Sequence, residues 1–334
     1  MVNNFVSSIR QDELSNIISS IRSMSNVSVN FTEKIIWFTS SVTCRSALGK
    51  ICNEHQDKLI HLLEEMLSLA FSVNVADFFP SWKFVHDLGG SISRLLKVHG
   101  KVDEILEYVV NEHKQNRANG KKGNGEFGSE DLIDVMLRVR ESGELQSPIS
   151  DDNIKAIILD MFSAGSETTS TTINWAFAEM MKNPNVLEKA QAEVRQTLKG
   201  KKDFRQIDLD ELKYLKLVIK ETLRMHPPVP LFVPRECMEE TKIDGYDIPL
   251  KARVLVNAWA IGRDPESWDD PESFLPERFE NSPVDFTGNH HQFIPFSSGR
   301  RMCPGMLFGL ANVGQLLAQL LYHFDWKLPN GQSH

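Results

Sequence analysis

Phe296-Ser-Ser-Gly-Arg-Arg-Met-Cys-Pro-Gly305 is the stretch on which the reading of this chain turns. It sets one cysteine, Cys303, in a loop bounded by Gly299 and Gly305, with Arg300 and Arg301 beside it. An apolar, helix-compatible segment follows from about Met306 to Phe324. Taken alone, such a cysteine is either an inert buried thiol or the ligand of a group seated on the loop.

Composition narrows the surroundings. The chain has 334 residues, 41% of them apolar, enough to bury a large core. Its net charge of −8 is moderate and interspersed, which excludes a nucleic-acid footprint. The four cysteines, Cys44, Cys52, Cys237 and Cys303, have no framework spacing and read as free thiols in a reducing compartment. No apolar run reaches the roughly 18 residues of a membrane span, and Met1-Val-Asn-Asn is no signal peptide.

Upstream of the loop, helical periods dominate. Helices are predicted over Gln11–Ser25, Thr32–Leu48, His55–Phe71, Ser91–Lys114 and Asp131–Val139. Asp77–Phe84 is an aromatic, proline-bearing loop, either a packing corner or a lid. Residues of about 115–129 are polar and glycine-rich and read as a mobile surface loop. Ser150 caps a helix with Asp151 and Asp152 in its first turn, ended by Asn183-Pro184 and ~45 Å long. The first half of this helix is apolar around most of its circumference, so it is expected to be buried. Ala164-Gly-Ser-Glu-Thr-Thr-Ser170 interrupts it with residues that disfavour a buried helix, and its depth points to a bend beside a ligand. Helices follow over Asn185–Lys199 and Leu209–Met225. The latter carries Glu221 and Arg224 at i,i+3, a spacing that on most helices gives an exposed pair of little worth. Beyond His226-Pro-Pro228 come a proline-punctuated apolar stretch, Val229–Arg235, two short strands, Thr241–Ile248 and Ala252–Asn257, and a helical turn at Trp259–Arg263. The fold class is mainly α with a small β region (α+β), read as a single domain over 1–334.

Four ordered motifs together resemble the cytochrome P450 family of haem-thiolate monooxygenases. Phe296-x-x-Gly299-x-Arg301-x-Cys303-x-Gly305 is similar to its haem-binding loop, and Ala164-Gly-x-Glu-Thr-Thr169 to its oxygen-activation segment. Glu221-x-x-Arg224 is similar to its core ion pair, and Pro276-Glu-Arg-Phe279 to the arginine partner of that pair. The segments between them resemble plant microsomal members that oxidise terpenoids or related specialised metabolites, and the likeness runs from about Phe5 to the last residue.

That resemblance implies haem b with the Cys303 thiolate as the axial iron ligand, thiolate donation being what promotes O–O cleavage in this ligand class. Phe296, Gly299 and Gly305 are implied to shape the loop against the porphyrin, the two glycines by letting backbone come close. Arg301 is implied to pair with a propionate, with Arg235 as a second partner. Thr168 and Glu167 are implied as a proton relay, with Ala164 and Gly165 leaving room beside the haem. Glu221, Arg224 and Arg278 take a structural role. Phe162, Val229, Leu231, Phe232 and Val233 are the expected substrate walls, apolar with few polar anchors. O2, an apolar small molecule and NADPH-cytochrome P450 reductase are the implied partners, the reductase docking near Arg300 on the Cys303 side.

Relatives of this kind run roughly a third longer, within the size of one large domain. The expectation is a chain incomplete at both ends, without the anchor that holds the family on the cytosolic face of the endoplasmic reticulum, and so cytosolic itself. Three functions stay open: an active monooxygenase, a truncated non-catalytic fragment with weak or no haem binding, and a haem-thiolate isomerase or dehydratase. The pair Glu167-Thr168 argues against the third.

Overall fold

The computed structural model describes residues 2–24, 27–49, 53–70, 90–121, 123, 130–143, 145–200 and 210–328. The Asp77–Phe84 loop and the end of the 115–129 segment lie outside them. The helices are α1 (Val2–Ser23), α2 (Phe31–Leu48), α3 (Asn53–Ala70), α4 (Ser91–Ala118), α5 (Leu132–Ser142), α6 (Asp151–Lys182), α7 (Pro184–Leu198), α8 (Lys213–Met225), α9 (Ala258–Ile261) and α10 (Met306–His323). Short strands are β1 (Arg235–Glu236), β2 (Thr241–Ile243), β3 (Tyr246–Ile248) and β4 (Arg253–Val254). Among the described residues no helix is long and apolar enough to cross a membrane.

The chain divides into two compact units, Met1–Glu13 with Ile36–Glu167 and Leu14–Ile35 with Thr168–His334. In the first, α3 packs on α4, and Leu59, Ile60 and Leu63 share one core with Val98, Val102, Ile105 and Val109. Ile133 and Leu137 of α5 and Ile154, Ile158 and Phe162 of α6 complete that core. Asp131 starts α5 with a reciprocal cap: its carboxylate accepts from Asp134 N–H at 2.9 Å, and Asp134 accepts from Asp131 N–H. Lys155 of α6 reaches Asp103 at 2.8 Å and Glu107 at 3.0 Å, tying α6 to α4.

The long helix forms for the reasons its sequence gives. Asn153 N–H donates to Ser150 Oγ at 3.2 Å and Ser150 N–H to Asn153 Oδ1 at 2.9 Å, so the first turn is capped from both sides. Helical structure then continues from Asp151 to Lys182, and Pro184 opens α7 at the helix start that its ring allows. Some of the polar residues within it back-bond to the preceding turn, Ser163 Oγ donating to Leu159 O and Thr172 Oγ1 to Thr168 O, while the buried Ser166 Oγ meets no partner among the described residues. One expectation fails. Ala156, Ile157, Met161 and Ala164 are exposed, so the first half of α6 is not buried around its circumference.

In the second unit α10 packs on α7 and α8, with Leu316, Leu317, Leu320 and Leu321 buried. Gln191 donates to the carbonyls of Leu321 and Phe324, which have no further turn to bond at the end of α10. Phe31, Phe177 and Trp326 close an aromatic corner, with centroids 4.3 Å and 4.8 Å apart for the Phe31–Phe177 and Phe177–Trp326 pairs. The 241–248 stretch, expected as one strand, is a hairpin in which β2 and β3 pair antiparallel, Thr241 opposite Ile248. The strand expected over 252–257 is shorter: only Arg253 and Val254 pair, and their antiparallel partners are Glu236 and Arg235. Several helix ends also move, among them that of α5, which runs to Ser142 past the expected Val139. α1 begins nine residues or so before Gln11, α4 continues to Ala118 where Lys114 was the expected end, and α8 starts at Lys213.

Candidate active site

Backbone bonds define the Cys303 loop before any side chain does. Cys303 N–H donates to Phe296 O at 3.0 Å, which closes the loop on itself, and Met302 N–H donates to Gly299 O at 3.1 Å within its single helical turn. Gly299 sits at φ 73°, a left-handed conformation that costs glycine little, and a Cβ there would meet nothing within 4 Å. At Gly305 a Cβ would meet only Cys303 Sγ, at 3.9 Å. Gly305 also opens α10 without a side-chain cap, so the amides of the first turn begin beside the thiol. Cys303, Arg300 and Arg301 are all exposed. An accessible thiol on a loop whose glycines leave one face clear, with Arg301 and Arg235 exposed in the same unit, is a donor set that fits an iron porphyrin bearing carboxylates.

Behind the loop stands a buried ionic network. Arg224 donates from Nε and Nη2 to the two oxygens of Glu221, both at 2.8 Å, and the side chains of both residues are 0% exposed. The remaining donors of Arg224 find the carbonyls of Gly262, Pro271 and Ser273. Arg278 Nε reaches Glu221 Oε1 at 2.9 Å, and its other nitrogens bind the carbonyls of Asp269, Asp270 and Ser273. Leu275 N–H donates to Glu221 as well. The exposed ion pair that most helices would show at this spacing is therefore replaced by a desolvated, fully bonded one. That exchange is what makes a buried charge tolerable.

Aromatic packing carries this rigidity towards the loop. The Arg224 guanidinium lies 5.4 Å from the Trp268 ring, and Trp268, Phe279 and Phe293 pack on one another. Phe286 touches Phe293 and then Phe296, at centroid distances of 6.2 Å and 5.5 Å. Ser298 Oγ donates to Gly288 O at 3.0 Å, a second tie on the same loop. Neither the aromatic relay nor the carbonyl acceptors were found from the sequence. The Phe and Trp residues of 268–296 were visible there only as composition.

The structure brings other expected site residues together in part. Arg235 donates to Ser297 Oγ at 3.0 Å, placing it on the Cys303 loop. Thr168 is half-buried in the second unit, and a Cβ on Gly309 of α10 would lie 3.5 Å from the neighbouring Thr169 Oγ1. Val229, Leu231 and Val233 are exposed, Val233 to 77%, while Phe232 is half-buried at φ 53°. In the first unit, Ala164 and Glu167 are exposed and Gly165 faces Thr43, whose Cγ2 lies 3.4 Å from where a Cβ would stand. Phe162, expected among the substrate walls, is 4% exposed and packs in the core of that unit.

Comparison with known proteins agrees with this geometry. The family model for cytochrome P450 matches residues 2–334. Premnaspirodiene oxygenase from Hyoscyamus muticus is 60% identical over 98% of this chain, and 5-epiaristolochene 1,3-dihydroxylase from Nicotiana tabacum is 60% identical over 97%. The chain spans 65% and 64% of the length of these two relatives. A zebra fish cytochrome P450 solved with progesterone superposes with a TM-score of 0.82 at 25% identity, over 98% of this chain and 72% of that one. The chain belongs to the cytochrome P450 family.

Proposed function

We propose that the whole protein is a haem-thiolate monooxygenase that inserts one atom of O2 into an apolar, terpenoid-like small molecule. Electrons would come from an NADPH-dependent cytochrome P450 reductase, and the working location is the cytosolic face of the endoplasmic reticulum membrane, as the likeness to plant microsomal members implies. The observation that carries the reading is the Cys303 loop, with an exposed thiol, an open glycine face and the start of α10 all at one point. The substrate class is supported by the names of the relatives, an oxygenase of premnaspirodiene and a dihydroxylase of 5-epiaristolochene.

When bound, haem supplies a redox-active iron at which O2 is activated. The chain's own residues do the rest. Cys303 gives its sulfur to the iron, and the Phe296 carbonyl holds the cysteine amide so that the loop keeps its shape. Gly299 and Gly305 let the backbone lie close to the ring, and Arg301 and Arg235 take its carboxylates. On α6, the Thr168 hydroxyl and the Glu167 carboxylate hand protons in from solvent, and Ala164 and Gly165 keep the helix slim beside them. Val229, Leu231, Phe232 and Val233 offer apolar contact to the substrate. The network of Glu221, Arg224 and Arg278 takes no part in proton transfer and stiffens the support of the loop.

The carbon-monoxide difference spectrum of the reduced, haem-loaded chain tests this. A Soret band at the thiolate position is expected, and Cys303→Ala should abolish it without changing helix content. No band from the unaltered chain would sink the reading for this polypeptide, and a band that survives Cys303→Ala would refute the ligand assignment. Turnover that runs on peroxide substrates alone, with no need of reductase and O2, would decide for an isomerase or dehydratase.

A further inference from the structure

Ser297 sits at φ 63°, in the left-handed region that favours glycine, directly after Phe296 and two residues before Gly299. A side chain kept in that conformation is best explained by something a glycine could not do. Here the side chain has a bond to make: its Oγ accepts from Arg235 Nη2 at 3.0 Å. Arg235 is anchored at its other end as well, because its backbone pairs with Val254 across the β1–β4 ladder. The bond therefore joins a strand of fixed position to the loop that carries Cys303. Among the described residues this is the one side-chain hydrogen bond of Arg235.

A guanidinium has N–H donors along a planar fork, and one bond at Nη2 leaves the other edge available. The serine hydroxyl, while accepting from arginine, retains its own proton to donate. Both groups are exposed or half-buried, and neither is consumed by the contact between them. We propose that Ser297 is a positioning residue, which holds the Arg235 fork towards a haem carboxylate and adds its own hydroxyl to the same oxygen pair. The inference rests on the haem-binding reading above and adds to it a determinant of carboxylate recognition that is built into the loop itself. Arg235 without Ser297 would be a long side chain free to sample several rotamers, and ordering it would be left to the ligand.

The experiment titrates the full apoprotein with haem and, separately, with haem dimethyl ester, whose carboxylates are blocked, following the Soret absorbance. The unaltered chain is expected to prefer haem. Ser297→Ala should lose about tenfold in haem affinity, the scale of one hydrogen bond to a charged group, and change the ester by less than about twofold. Arg235→Gln should show the same split, and the double variant should lose more than Arg235→Gln but less than the sum of the two single losses. Ser297→Gly keeps the test alive if the alanine variant folds poorly: it relieves the left-handed strain, so the apoprotein should melt no lower than the unaltered chain, yet the same haem-selective loss should remain. Equal weakening of haem and ester in both serine variants, or no change in either, overturns the inference and leaves the haem reading standing. No Soret band from the unaltered chain with either porphyrin overturns the haem reading and the inference with it.

Discussion

Glu221 accepts from Arg224, from Arg278 and from the Leu275 amide while fully out of solvent. Replacing it with glutamine keeps the volume and removes the charge, which leaves two guanidinium groups without their anion. Breaking a buried pair in this way costs about 3–5 kcal/mol. Urea unfolding of Glu221→Gln should show a loss of that order, and a loss below about 1 kcal/mol would mean that the network is wetter than its geometry. Gly262 belongs to the same argument. A Cβ there would stand 2.3 Å from Arg224 O, so Gly262→Ala must move backbone that also gives its carbonyl to Arg224, and the variant should melt well below the unaltered chain. The charged members of this network were legible in the sequence because ionised side chains at fixed spacing leave a motif. Gly262, Pro271 and Ser273 were not, since their contribution is a carbonyl that every residue has.

Between elements, the joint of α4 and α5 turns on His113, a residue that no motif or spacing singles out. Its Nδ1 lies 2.8 Å from Val109 O, and a carbonyl only accepts, so Nδ1 carries a hydrogen. Nε2 then meets Asp131 Oδ2 at 2.8 Å, and a proton must lie between those atoms too. The pair thus holds one proton more than a neutral imidazole and a carboxylate would. Burial by itself pushes the imidazole down, but the bonds to Asp131 and Val109, with the charges of Asp131 and Asp134, raise it above its ordinary value. Burial raises the Asp131 carboxyl as well, outweighing its bonds to His113 and Asp134. Both shifts mean that the folded pair keeps its proton to higher pH than the unfolded chain does. The stability this contributes is fully present below the ordinary imidazole value of 6.5 and is lost as pH rises through the folded one. The melting temperature should therefore fall as pH rises above 6.5, and fall less in His113→Gln, which can donate to Asp131 at any pH. A parallel decline in both proteins would rule out this joint as the cause. On α6 the expected burial fails for a physical reason. Ile157, Met161, Ala164 and Thr168 follow one face at helical spacing, and an apolar face looks alike in sequence whether neighbouring protein or a ligand is to cover it.

For the molecule as a whole, the exposed apolar side chains of the second unit set the terms. Val229, Leu231, Val233, Leu255, Trp259 and Leu307 are all exposed, and each is more apolar than a surface position requires. On the proposed reading, haem and substrate cover surface of this kind, so the chain without haem is the less stable form. A ligand that binds only the folded state, present at a hundred times its dissociation constant, adds about 2.7 kcal/mol. For a protein of 334 residues that corresponds to a rise of about 4 °C in the melting temperature. Haem added to the apoprotein should produce that rise together with a drop in binding of an apolar dye. Cys303→Ala should lose most of the rise, because the thiolate is the bond that distinguishes the site from a greasy surface. Haem dimethyl ester should give a smaller rise than haem in the unaltered chain, in proportion to what Arg301, Arg235 and Ser297 contribute. If Cys303→Ala shifts as far as the unaltered chain, haem is adsorbing to apolar surface and the loop is not its site.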